Sequence, residues 1–218
     1  YKRQELDPAT GTVSVDPQTP AGSYTIIYQL CEVLNPTNCD SATVTVVVEA
    51  AEIEAFNDTN ATPVNGYAGG NAIPNVLTND LLNGVAVLPS QVTISVVPGS
   101  VPAGITFNTT TGAVDVLAGT AAGSYTFDYT ICEILNPTNC DTATITVVVG
   151  AAPIDAVNDT PATPVNGYAG DTDVVNVLDN DTLNGVPVIP SEVAVTVTTP
   201  ASNPGVELDP ATGTVSVD

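Results

Sequence analysis

Nearly every segment of this chain occurs again 101 residues further on. ATPVNGYAG stands at 61–69 and 162–170, and AGSYT at 21–25 and 122–126. Gly11 and Gly112, Cys31 and Cys132, and Asn65 and Asn166 are each 101 apart, and no gap interrupts the register. ELDPATGTVSVD at 5–16 returns letter for letter at 207–218, two periods on. A period near 100 is too long for a solenoid unit and suits one β-sandwich domain. The expected organisation is part of one repeat at 1–49 (with 1–4 a non-repeating flank), a complete repeat at 50–150, and the front of a third at 151–218. On this reading the chain starts and stops inside a repeat.

Within 50–150, β-rich runs lie near 73–77, 84–88, 92–97, 104–108, 112–117, 123–133 and 141–149, with Gly, Pro, Asn and Asp between them. Helical periodicity is lacking. About seven strands in about 100 residues is the content of an immunoglobulin-like sandwich. The fold class expected is all-β, as tandem Ig-like (cadherin-like) sandwich domains.

Charge excludes several functions. The chain has 24 acidic residues, two basic ones and no histidine, a net charge of −22. Both cations, Lys2 and Arg3, precede the repeats. Nucleic acid is excluded as a partner, because phosphate contacts need Lys or Arg. An anionic membrane surface is excluded likewise, and no apolar run of about 18 residues offers direct membrane insertion. Without histidine there is no Ser-His or Cys-His dyad, and GxSxG and phosphate-loop motifs are missing. The chain reads as no enzyme.

The only cysteines lie in CEVLNPTNCD (31–40) and CEILNPTNCD (132–141). Alternation sets Tyr125, Phe127, Tyr129 and Ile131 on one face and Thr126, Asp128, Thr130 and Cys132 on the other. Cys31, Cys39, Cys132 and Cys140 thus fall on the polar face of a hairpin, unlike the core disulfide of antibody domains. Zinc would lack two further ligands, and a redox pair would read Cys-x-x-Cys. A disulfide at each hairpin tip is expected, with free thiols the alternative, and it implies an oxidising, extracellular setting.

Acidic motifs recur as AFNDT (55–59) and AVNDT (156–160), followed by NVLTNDLLNG (75–84) and NVLDNDTLNG (176–185). One reading is a calcium ion rigidifying each junction through Asn57, Asp58, Asp80, Asp155, Asp159 and Asp181, since calcium takes hard oxygen ligands. The other is that Asn and Asp make turns and cap strands. Both stay open, and no other cofactor is implied.

GVELDPATGTVSVD (205–218), continued in another copy by PQTPAGSYTIIYQ (17–29), resembles bacterial Ig-like and dystroglycan-type cadherin-like repeats. NVLDNDTLNG is similar to the Val-Leu-x-Asn-Asp signature of cadherin-like repeats in giant bacterial surface proteins. With CE[VI]LNPTNCD, the whole is most similar to tandem repeats of Bacteroidetes surface proteins, including gliding-motility adhesins. The resemblance implies secretion to the bacterial cell surface. It also implies O-glycans at Asp-(Ser/Thr)-small-apolar sites, which Ser41, Thr142 and Thr182 fit.

Three functions follow as expectations. The first is a non-enzymatic stalk or filament that spaces and presents a distal adhesive part. The second is a calcium-dependent adhesin whose repeats bind a glycan or surface ligand. The third is a fibre in which split repeats of neighbouring identical chains complete one another.

Overall fold

The computed structural model describes residues 4–218, and Tyr1–Arg3 of the flank lie outside the described residues. Its contacts form two compact units, one ending at Gly150 and one running Ala151–Asp218. Apart from two 3-10 turns, Val76–Thr78 and Pro190–Glu192, the regular structure is all β.

The first unit opens with two hairpins. β1 (Gln4–Asp7) pairs antiparallel with β2 (Thr12–Val15), and β3 (Gly22–Cys31) with β4 (Cys39–Val48). Asp7 carboxylate oxygens accept from the Ala9 N–H and the Thr10 hydroxyl, which fixes the Asp-Pro-Ala-Thr-Gly turn.

The sandwich follows. Its strands are β5 (Ile53–Glu54), β6 (Asp58–Thr59), β7 (Val64–Asn65), β8 (Gly70–Ile73), β9 (Leu81–Leu82), β10 (Val85–Ala86), β11 (Val92–Val96), β12 (Ile105–Asn108), β13 (Ala113–Val116), β14 (Gly123–Glu133) and β15 (Cys140–Gly150). One sheet runs β11-β14-β15-β6, with β7 also on β15; the others are β12-β13-β8 and β10-β9-β5. The long hairpin β14–β15 dominates. Phe127, Tyr129, Ile131, Ala143, Ile145, Val147 and Val149 point inward and pack against Ile73, Val114 and Val116 of the facing sheet. Tyr129, Ile131, Ile145 and Val147 are fully buried, and each such side chain contributes roughly 1.5–3 kcal/mol. Phe107 meets Phe127 edge-on, ring centroids 5.6 Å apart.

Seven of these strands overlap the runs read from sequence, and the four two-residue strands β5, β6, β7 and β9 do not. The run at 73–77 is cut short: β8 ends at Ile73, and the Asn75 side chain accepts from the Leu77 N–H to start a 3-10 turn. β6 and β7 run parallel to β15, and the gap between them is closed by one side chain. Buried Asn60 accepts from the Val148 N–H (2.7 Å) and donates to the Val148 and Thr62 carbonyls (2.9 and 2.6 Å), replacing the missing ladder. The Gly in VNGYAG has a steric reason. A Cβ on Gly66 would collide with the Thr120 carbonyl, and the Gly66 and Thr120 backbones are joined by a 3.0 Å bond.

The second unit holds β16 (Ile154–Asp155), β17 (Asp171–Asn176), β18 (Thr182–Leu183), β19 (Val186–Pro187), β20 (Val206–Leu208) and β21 (Thr214–Val217), in sheets β16-β18-β19 and β17-β21-β20. It has no strand at 159–160, 165–166 or 193–197, where β6, β7 and β11 lie one period earlier. In the first unit those three strands pair with β14 or β15. Without that hairpin they have no ladder to join. Val177 and Leu178 accordingly stay half-buried, whereas their counterparts Val76 and Leu77 are buried.

Candidate functional site

Two polar centres distinguish the complete repeat. The first lies inside the sandwich, where β14 brings the Tyr129 hydroxyl against the segment before β6 and the turn after β8. Tyr129 Oη is 3.0 and 3.1 Å from the two carboxylate oxygens of Asp80, and the Phe56 N–H donates to the same carboxylate at 2.8 Å. Asp80 and Tyr129 are wholly buried. Asp58 faces the same hydroxyl, and its Oδ2 is buried without a hydrogen-bond partner. Burial raises the Asp58 pKa from 3.8 to about 6, and the neighbouring Asp80 charge adds to the rise. Burial also raises Asp80, against the hydrogen bonds from Phe56 and Tyr129. Burial raises Tyr129 in turn, helped by both carboxylates, so the phenol stays a donor.

The second centre is the hairpin tip. Disulfides join Cys31 to Cys39 and Cys132 to Cys140, each with Cα atoms 4.1 Å apart, and no cysteine is free among the described residues. Cys132 and Cys140 sit directly opposite each other in the ladder, and both side chains are on the outer face. The intervening Asn-Pro-Thr-Asn is held from within. Buried Glu133 accepts from Asn136 (2.8 Å) and Asn139 (2.9 Å), and Asn139 also donates to the Ala51 carbonyl at 2.7 Å. Glu32 does the same with Asn35 and Asn38, and these bonds, that from Asn38 foremost, lower its pKa. The tip is therefore tied to the segment through which the chain enters the sandwich. The Ala55 N–H adds a second tie, to Asp141 at 2.8 Å.

The other residues singled out from sequence are dispersed. Asn57 Oδ1 accepts from the Thr144 N–H and its carbonyl accepts from Asn79, a capping role along β15. Asp181 accepts from the Val157 N–H at 2.7 Å, repeating the Phe56–Asp80 bond one period on. Asp155, Asp159 and Asp181 border one cavity of about 270 Å³ in the second unit. Ser41 and Thr142 are exposed, Thr142 sharing a 2.9 Å hydroxyl contact with Thr130, and Thr182 is half-buried in β18. Among the described residues no three His, Cys, Asp or Glu side chains are grouped to hold a metal, and the all-β arrangement presents no catalytic cluster. None of its helices is long and apolar enough to cross a membrane. Tyr129, Glu133 and Asn60 escaped the reading of motifs. Their signal was the repetition itself, since Tyr28 and Glu32 stand one period earlier.

No known family matches the sequence. Nor does any curated protein. Among solved structures, the third cadherin domain of human protocadherin 7 is similar at 14% identity over 47% of this chain and 87% of that one, TM-score 0.32. Mouse cadherin-23 repeats EC22–24 give 15% identity over 100% and 72%, TM-score 0.31. A SusE-like surface-located polysaccharide-binding protein of Bacteroides thetaiotaomicron gives 17% over 71% of this chain but 23% of its own, TM-score 0.34. Similarity at this level concerns β-sandwich class only.

Proposed function

We propose that this chain is part of an extracellular, non-enzymatic stalk or filament at a bacterial surface, in which each 101-residue repeat is a spacer. One observation carries the reading: chain entrance and exit lie at opposite poles of the complete repeat. The entering segment is pinned at the disulfide tip through Ala51 and Ala55, and the chain leaves at Gly150, the far end of β15. Eleven residues of strand separate the poles by roughly 35 Å. The preceding hairpin supports the same head-to-tail order. Gly22 and Val48 mark its exit end, and the adjacent Ala21 N–H donates to Asn136 at the next tip, 2.7 Å away. Tension along such a string pulls β6 and β7 toward one pole and β15 toward the other. Because these strands are parallel neighbours, the load shears their bonds together instead of opening them one by one.

Force spectroscopy on the chain held by its two ends tests this. The expected record has one dominant rupture from the complete repeat, and reducing the disulfide lengthens that event by about 25 Å as the tip loop is released. A repeat that yields gradually, with no distinct rupture, sinks the proposal. Specific retention on a glycan array would favour the ligand-binding reading instead.

A second reading adds calcium between Asp58 and Asp80, favoured by the buried, unpartnered Asp58 oxygen. The two carboxylates would supply part of the oxygen shell. Calcium is then expected to raise the melting temperature of the complete repeat above that in sodium chloride of equal ionic strength; equal melting in both salts rejects it. Exposed Ser41 and Thr142 are proposed as glycan carriers ahead of half-buried Thr182. An intact mass of native protein equal to the bare chain would end that idea.

A further inference from the structure

The second unit and the β3–β4 hairpin have complementary surfaces. In the complete repeat, β14–β15 covers Val76, Leu77 and Val92, and sets its tyrosine hydroxyl against Asp80. One period later the same positions, Leu178, Asp159, Asp181 and Val195 among them, border the 270 Å³ cavity, and no tyrosine fills it. The strands lacking here are the three that need β14–β15, and Val193 is already extended at φ −129°. One period before β14–β15 lies β3–β4, paired in identical register and closed by its own disulfide. Its apolar face is unfilled: Leu30 is 68% exposed, whereas Ile131, its counterpart, is 0% exposed.

We infer that β3–β4 of one chain docks into the second unit of another copy, seating Tyr28 between Asp159 and Asp181 and completing a sandwich across two molecules. The complete repeat supplies the template. Val92 pairs with Glu133, Ile94 with Ile131 and Val96 with Tyr129, so Val193 takes Glu32, Val195 takes Leu30 and Val197 takes Tyr28. Likewise Ile145–Asp58 and Val149–Val64 become Val44–Asp159 and Val48–Val165. Residues 5–16 and 207–218 are identical and would compete for one place. The copy at 207–218 keeps it, because β20–β21 is already paired to β17, whereas β1–β2 pairs only with itself and swings aside. Each chain has one hairpin and one socket, so the contact is heterologous and propagates head to tail.

Sedimentation velocity of the full chain tests this from micromolar to millimolar concentration. Wild type is expected to grow in whole multiples of the chain mass. Tyr28→Ala spoils the hairpin and Val195→Asp the socket, so each variant alone stays monomeric. Their equimolar mixture retains one good hairpin and one good socket, and gives a species of two chains. A variant that had lost its fold could not restore it. Wild type that stays monomeric at millimolar concentration, variants that grow like wild type, or a mixture without the two-chain species would each overturn the inference.

Discussion

Tyr129 has one proton to offer, and the carboxylates of Asp58 and Asp80 both face it inside the sandwich. The proton goes to Asp80, whose oxygens are 3.0 and 3.1 Å away, and Asp58 is left with a buried oxygen that nothing donates to. Keeping its own proton is the way Asp58 avoids a second buried negative charge, which is why burial and Asp80 together raise its pKa from 3.8 to about 6. Between those values the folded chain binds more protons than the unfolded one, so stability falls as pH rises through that window. The contribution is full at pH values below the unfolded pKa and gone above the folded one. Asp58→Asn carries no charge and can donate an N–H toward the tyrosine oxygen. It is expected to stabilise the repeat at pH 7.5 by about 1 kcal/mol, after allowing for screening of a half-buried group. The gain should shrink to nothing below pH 4 as the wild-type carboxyl protonates. Thermal melts of both proteins across pH 3.5–8 check it, and a gain independent of pH would refute this account. Asn-Asp pairs announce these residues in the sequence. Their role was hidden, because it depends on a tyrosine dozens of residues away.

The β14–β15 hairpin was legible, since eleven-residue strands with strict alternation leave one face apolar and one polar. Both cysteines fell on the outer face for that reason. β6 and β7 were not legible: two residues have no period, and Asn60 looks like a turn residue in NDTNAT. It serves instead as a piece of backbone, accepting from the Val148 N–H and donating to the Val148 carbonyl. Asn60→Ala strands both groups in a buried strand, a loss of about 2–3 kcal/mol. Chemical denaturation should report that loss, with a lower rupture force on pulling, because the lost bonds lie in the sheared seam. Asn60→Asp keeps the acceptor and loses the donor, so an intermediate effect is expected. A rupture force unchanged in Asn60→Ala would place the mechanical resistance elsewhere. Opening the tip by Cys132→Ala with Cys140→Ala removes a small-loop cross-link and should cost roughly 2–3 kcal/mol. The Glu133–Asn136–Asn139 bonds should still order the loop, and amide exchange of Asn139 on reduction would reveal whether they suffice.

Over the whole molecule, charge and stability are set against each other in an unusual way. From Gln4 to Asp218 there is no Lys, Arg or His, so none of the 24 acidic side chains can form an ion pair with another side chain in that span. Carboxylates are satisfied instead by amides and hydroxyls, as at Asp7, Asp80, Glu133 and Asp141. Net repulsion across −22 charges therefore opposes the compact state with no attractive pairs to offset it. Salt acts on that repulsion through screening, whose range falls from about 30 Å at 0.01 M to about 3 Å at 1 M. Raising sodium chloride across this range should raise the melting temperature of the complete repeat steadily, by several degrees if screening recovers about 1 kcal/mol. Proteins held by surface ion pairs respond in the opposite sense, because screening weakens those pairs. A melting temperature that falls with salt would mean that cations from solution are bound at discrete carboxylate sites and displaced by sodium, and Asp58 with Asp80 would be the first place to look. A rise that is the same for sodium and tetramethylammonium chlorides would fix its origin in diffuse screening. The repeats would then be stiffened against one another by the same charge that weakens each of them.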